Sequence, residues 1–372
     1  MKIEVNSSDF AEAVSWAAQI IPSRPTTPIL AGIKIEASEG QLQLSTFDYD
    51  QSARLVIAAQ VDEPGIVIVH GKLLSDIARN LPGESASLET SGTRLHITSG
   101  KSSFQLQLMP QEDYPQLPSV PTTIGRVDGK TFIDAINQAN VSIARDQNRP
   151  VLTGIHIQIN GETVTLSSTD RFRLSRTTFT WSPASSDVQA DVIVRGEILR
   201  AVVRSVDAAQ NVTFGMDEGG KLISFDNAGK VMTVQLTEGQ FPAVDRLFAD
   251  EYPIEAVLDR RELMSAISRA ALVTEHNAAI RLEFENNQVS ISAGTADESQ
   301  AHESLNCNLT GEPITVAFNP TYLKDGLSVI PEPYVRIRMQ TSVKAVEFNG
   351  QQEMDDDTAS LAFRYLLVPM RF

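Results

Sequence analysis

Asp48 and Asp50, two carboxylates one residue apart in "TFDYD", are the pair in this chain best placed for general acid–base work, since neighbouring carboxyls can hold one proton between them. Their setting points elsewhere. Asp48 closes the triplet Thr46-Phe47-Asp48, and the same Ser/Thr-x-Asp pattern returns at Ser168-Thr169-Asp170 and Thr295-Ala296-Asp297. A triplet repeated in three places reads as a turn cap, with the carboxylate accepting backbone N–H groups. "SGKSS" (99–103) contains Gly-Lys-Ser, but Leu95 stands where a phosphate-cradling loop needs its first glycine, and the stretch lies between strands. The histidines at 70, 96, 156, 276 and 302 lack metal-ligand spacing. Asp355-Asp356-Asp357, within "NGQQEMDDDTAS", lacks calcium-loop spacing and reads as a solvated hairpin loop. No HExxH, GxSxG or CxxC occurs. The expectation is no catalytic residue, no metal and no cofactor.

The elements that carry these residues form a repeat. "VIVHGKLLSDIA" (67–78) returns as "VIVRGEILRAVV" (192–203) and more weakly as "VAFNPTYLKDGL" (316–327). The first halves align as well: 9–35 with 131–157, Phe10 and Phe132 both second in line, and 262–284 more loosely. Phe132, Ile136, Ala139 and Ile143 share one helix face, and Leu263, Ile267 and Ala270 repeat the spacing. "FQLQL" (104–108), "IHIQI" (155–159) and "VEF" (346–348) alternate as half-buried strands do, punctuated by turns at Gly40, Gly92, Gly161 and Gly229. A period of about 124 residues exceeds solenoid units and fits whole domains. The fold class is therefore α+β: three tandem domains, 1–120, 121–250 and 251–372, each of two strand–helix–three-strand half-units, with boundaries near 119–125 and 249–253.

Composition bounds the setting. Of 372 residues, 42% are apolar and 21% charged, as in globular proteins. The single cysteine, Cys307, forbids an internal disulfide and suits a reducing cytoplasm. "MKIEVNSSDF" is no signal peptide, and no apolar run approaches the ~20 residues of a membrane helix. A net charge of −16 speaks against a nucleic-acid binder, yet its distribution is uneven. The expected helix segments 8–24, 72–80, 130–145, 195–206, 259–269 and 319–327 carry twelve Lys/Arg against eight Asp/Glu, and the remainder 19 against 39. Arg200 and Arg204 share a helix face, as do Lys72 and Arg79. A single such pair is an ordinary solvated face; repeated, the pairs suggest a basic surface in an acidic protein, able to hold a polyanion without reading sequence.

"RPTTPIL" (24–30), "RPVLTG" with "STDRFRLS" in the middle repeat, "FPAVDRLF" (241–248) and "YLLVPMRF" (365–372), in that order along the whole chain, resemble the bacterial DNA sliding clamps, the β subunits of DNA polymerase III. The resemblance implies a non-enzymatic, head-to-tail homodimer whose six domains close around duplex DNA, helices inside and sheets outside. Size agrees: with a radius of gyration of ~14 Å per domain, four domains leave a hole of roughly 15 Å and six about 35 Å, against a duplex of about 20 Å. Residues implied to face DNA are Arg24, Lys72, Arg79, Arg145, Arg200, Arg204, Arg261 and Arg269. The implied joint brings Leu106 to Ala271 and Leu272. A pocket for short motifs of polymerases, clamp loader and repair proteins is implied at Arg149, Leu152, Thr169, Arg173, Leu174, Pro242, Leu247, Asn319, Tyr322, Leu366, Val368, Pro369, Met370 and Arg371. The chain departs from some members at Arg171-Phe172, where they carry Gly-His, at Val368, where they carry Met, and in the longer stretch Asn349–Ser360. Rival readings are a hydrolase or transferase assembled between repeats and a β-rich peptide or carbohydrate adaptor.

Overall fold

Among the described residues, six α-helices each follow directly on a strand, and the residue before the helix usually supplies the cap. α1 (Ser7–Ala17) is capped by Asn6, α2 (Gly71–Ala78) by His70, α5 (Arg260–Ala270) by Asp259 and α6 (Pro320–Ser328) by Asn319. Each accepts N–H groups of the first turn, which otherwise lack partners. α3 spans Gly129–Asn140 and α4 Gly196–Val203. These assignments come from a computed structural model that describes residues 1–146, 148–274, 278–294 and 299–371. His276, the triplet Thr295-Ala296-Asp297 and Phe372 lie outside the described residues.

Four helices end earlier than the sequence segments. The expected 8–24, 72–80, 130–145 and 195–206 stop at Ala17, Ala78, Asn140 and Val203. The triplets mark two of these ends: Thr46 Oγ1 donates to Ala17 O at 2.7 Å, and Ser168 Oγ to Ala139 O. Ile143, expected on the α3 face beside the buried Phe132, Ile136 and Ala139, lies half-buried beyond its end. The charge reading changes too. The observed helices hold seven Lys/Arg and seven Asp/Glu, so the excess belonged to flanking residues. Arg79 and Arg204 directly follow a last helical residue, the end where the helix dipole favours a cation, while Arg24 and Arg145 lie several residues past theirs.

Among the described residues the strands form sheets of five, nine, nine and four, and the nine-stranded ones join consecutive repeats. Strand Gln51–Ala58 pairs with Lys230–Gln235, placing Ser52 opposite Thr233. Strand Arg173–Thr180 pairs with Phe363–Leu367, placing Leu174 opposite Leu366. Three sequence repeats thus yield two compact units: Met1–Gly129 with Ser182–Ser185 and Ala201–Leu236, and Lys130–Trp181 with Ser186–Arg200 and Thr237–Phe372. The expected boundary near 119–125 runs into the strand Thr122–Val127 of the first unit. In the first unit the five-stranded sheet ends at Ser102–Gln107; in the second the four-stranded sheet ends at Gln300–Asn306.

Alternation marks these strands, with one correction. "VEF" was expected on a half-buried strand, but Val346–Gln351 is buried on both faces. On its polar face, Glu347, Asn349 and Gln351 are buried; Gln351 is bonded to the loop carrying Glu353, Met354 and Asp356, and Tyr252, from the chain that links the second repeat to the third, covers Glu347. That covering layer builds the candidate site.

A candidate partner-binding pocket

The segment from Gly239 to Tyr252 crosses the polar face of the second unit's nine-stranded sheet, and its large rings and Val244 find seats there. Phe241 stacks on His156 at 4.7 Å, whose Nε2 lies 2.7 Å from Asp191 Oδ1. Phe241, Val244 and Phe248 pack with Leu174, Ile193 and Leu366 into one small apolar cluster. Arg364 and Arg176 lie over the Phe248 ring at 3.9 and 5.3 Å, and Arg338 over Tyr252 at 4.4 Å, the cation–π geometry. Arg176 also pairs with Asp245.

Glu347 is the electrostatic centre of this layer. It is fully buried, receives Arg364 Nε and Nη2 at 2.6 and 2.8 Å, and accepts the Tyr252 hydroxyl at 2.6 Å. Burial alone would raise its pKa; the hydrogen bonds from Arg364 and Tyr252 outweigh it and hold the carboxyl below its ordinary value. Burial, with the Glu347 hydrogen bond, pushes the Tyr252 phenol up to about 12.

Around the apolar cluster stand the residues singled out in the sequence. Leu152, Leu174, Leu366 and Pro369 are buried, while Pro242, Leu247 and Val368 are exposed, the last two at 54% and 42%. Tyr322 and Met370 are half-buried; Arg149 and Arg371 are exposed. The terminal segment is pinned by Val368 N donating to Phe172 O at 2.9 Å and Met370 N to Ala317 O at 2.8 Å. Three polar candidates turn inward. Arg173 is bound to Asp170 at 3.0 Å and Asp325 at 2.7 Å and lies 4.2 Å from the Tyr322 ring centre. Thr169 Oγ1 donates to Arg173 O at 2.7 Å, and Asn319 Oδ1 caps α6. Such side chains shape a wall; they do not reach out. The sequence reading passed over Phe241, Val244 and Phe248, although their spacing along "FPAVDRLF" carried the signal of one face seated on a sheet.

Other candidates divide. Arg24, Lys72, Arg145, Arg200, Arg204 and Arg261 are exposed and make no ion pair among the described residues. Arg79 is exposed but tied to Ser15 and Ser75 at 3.0 and 2.8 Å. Arg269 is not a free cation: Nε and Nη2 meet Glu303 at 2.7 and 2.8 Å. Leu272, on the turn Ala271–Val273, is 84% exposed, and Ala271 is half-buried. Leu106 is 2% exposed, with its side chain inside the first unit's own core. Asp48 is a cap: Oδ1 accepts Asp50 N at 3.0 Å and Gln51 N at 2.8 Å. Asp170 does the same for Phe172 and Arg173. Among the described residues, no metal-binding cluster of three or more His, Cys, Asp or Glu occurs, and no helix is long and apolar enough to cross a membrane.

Comparison with known proteins places this geometry. Models of the N-terminal, central and C-terminal domains of the DNA polymerase III β subunit match residues 1–118, 126–243 and 245–370. The beta sliding clamp of Streptomyces coelicolor is 40% identical, covering 100% of this chain and 99% of that protein. The beta sliding clamp homolog GriR of Streptomyces muensis is 32% identical over the full length of both. In fold, the DNA polymerase sliding clamp of Bacillus subtilis superposes with a TM-score of 0.93 at 22% identity, over 100% of this chain and 99% of that one. A Pseudomonas aeruginosa sliding clamp bound to griselimycin gives 0.91 at 24%, over all of both chains. With three clamp domains in order and no catalytic constellation required of them, the chain belongs to the DNA polymerase III β subunit family, the non-catalytic sliding clamps of bacterial replication.

Proposed function

We propose that two copies of this chain join head to tail into a ring that encircles duplex DNA without sequence preference. The ring tethers polymerase, clamp loader and repair proteins through short motifs seated beside Leu174, Leu366, Leu247 and Val368. The strand count carries the reading. Where repeats meet inside the chain the sheet has nine strands, while the first and last sheets, of five and four, hold between them the strands of one more. By their place in the sheets, Ser102–Gln107 corresponds to Lys230–Gln235 and Gln300–Asn306 to Gln51–Ala58, the pair that bonds across the internal junction. A second copy offering the complementary edge covers both, and a heterologous contact of this kind closes a ring when its rotation closes. The joint then rests on backbone edges and on exposed Leu272, with Leu106 supporting its strand from below.

Retention by enclosure needs only weak adhesion. Exposed Arg24, Lys72, Arg145, Arg200, Arg204 and Arg261, without an ion pair among the described residues, supply a salt-sensitive attraction, and the −16 net charge limits sticking elsewhere. Loading onto nicked circular DNA tests the reading: the expected result is retention on the circle and loss after linearisation. Equal retention on both would overturn encirclement, and a monomer by light scattering at micromolar concentration would overturn the ring. Removing residues 368–372 is expected to abolish motif binding while the dimer persists.

A further inference from the structure

Arg171 holds a backbone conformation that its side chain disfavours. In the turn Asp170–Arg173, closed by Asp170 N donating to Arg173 O at 3.4 Å, its φ is 82°. A turn with positive φ at its second residue favours glycine, and a side chain there is strained. The matching turn Asp48–Gln51 of the first repeat holds Tyr49 at a φ of 75°, so the conformation belongs to the repeated turn, and what sets this copy apart is the charged side chain it carries. The neighbour is unusual as well. Phe172 is 53% exposed and stacks against Tyr322 at 6.4 Å, with the Arg171 guanidinium 5.8 Å from its ring centre. Asp170 and Asp325, the carboxylates of this cluster, are both bonded to Arg173. Arg171, exposed, has no ion pair among the described residues. An unneutralised cation therefore stands over an exposed aromatic ring, and the carbonyl of that ring's residue holds the half-exposed Val368.

We propose that Arg171 and Phe172 form a specificity ledge that selects partner segments carrying a carboxylate side chain next to their apolar anchor. Phe172 and Val368 cover the anchor, and Arg171 forms a charge-assisted bond to the carboxylate. This rests on the pocket reading above and adds the chemistry of the partner to it. A cation at the rim discriminates between partners more than it adds affinity.

Two short peptides with one apolar anchor, flanked by Asp in one and Asn in the other, test the ledge by fluorescence polarisation. The full-length protein is expected to prefer the Asp peptide by about tenfold, the worth of one charge-assisted bond at a wet rim, with the preference shrinking in high salt. Arg171→Gln and Arg171→Gly are both expected to erase the preference and leave the Asn peptide unchanged. Only Arg171→Gly is expected to raise Tm, because it alone relieves the backbone. Phe172→Ala is expected to weaken both peptides. Equal binding of the two by the unaltered protein, or a preference surviving Arg171→Gln, overturns the ledge while leaving the pocket standing. Failure of both peptides to bind overturns the pocket and the ledge with it.

Discussion

The two internal junctions share one topology and differ in what lies under the linker. In the first unit, the positions facing the linker are Ser52, Thr233, Ser224 and Gly215; in the second, the corresponding positions by strand pairing are Leu174, Leu366, Glu347 and Arg338. A β-carbon on Gly215 would come within 2.7 Å of Pro121 O, so the first linker lies directly on the sheet. The second linker rests on a layer of long side chains, with Phe248 and Tyr252 under Arg364 and Arg338, leaving Leu247 and Val368 exposed at its edge. Small residues seal one junction; large ones prop the other open. Each unit keeps a polar cavity beside its linker, of about 320 Å³ by Lys34, Arg54 and Tyr114 and about 380 Å³ by His156, Arg176 and Phe241. In the second, the apolar cluster of Leu174, Ile193, Phe241, Val244, Phe248 and Leu366 lies beside it.

The difference breaks most sharply at Glu347. Glu347→Ala strands Arg364 and the Tyr252 hydroxyl under the linker, and removing one member of a buried pair costs about 3–5 kcal/mol. Ser224→Ala, its counterpart, removes one small hydroxyl and is expected to cost about 1 kcal/mol. Urea unfolding of both variants reads the contrast; equal losses would show that the prop carries no special weight. The same carboxylate sets a pH dependence. Its folded pKa is depressed, so its contribution is complete above the unfolded value of about 4.3 and is lost as pH falls through the lower folded value. Glu347→Gln is expected to flatten the acid limb of Tm against pH.

Importing the first junction's chemistry into the second is the next largest effect. Leu174→Ser with Leu366→Thr recreates the Ser52–Thr233 pair, and losing two buried leucine side chains that touch costs about 3–6 kcal/mol, less than additively. Motif binding is expected to fall at least tenfold, beyond what a folded fraction measured by circular dichroism explains. A variant that folds and binds normally would place the motif elsewhere.

Much of this was legible from residues alone, and the boundary is physical. The repeat, its caps and its turns are local: Asp48 and Asp170 bond two and three residues ahead, within reach of a sequence pattern. Pairing between distant strands is not. Nothing near Ser102–Gln107 says that its edge is open, nor near Glu347 that Tyr252, 95 positions away, covers it; "VEFNGQ" alternates like any half-exposed strand. Arg269 read as a free cation because Glu303 lies 34 residues off, and Leu106 was implied by the family resemblance alone. The helix segments read as basic because their ends were set too late, past the carbonyls that Thr46 and Ser168 tie down.

Those two hydroxyls supply the smallest and most searching test, since they mark where the junctions agree. Thr46 donates to Ala17 O and Ser168 to Ala139 O, both fully buried and both closing the helix that opens a repeat. Thr46→Val and Ser168→Ala each remove one buried hydrogen bond, worth about 1 kcal/mol, and leave a carbonyl to be satisfied by its helix alone. Because the surroundings repeat, the two losses are expected to match within about 0.5 kcal/mol, whereas Glu347 and Ser224 differ severalfold. Matched losses from differential unfolding would mean that the repeats share a frame and diverge only under the linker. A large mismatch would mean that the layer beneath the second linker stiffens its whole unit, and that the pocket depends on more of the sheet than the residues lining it.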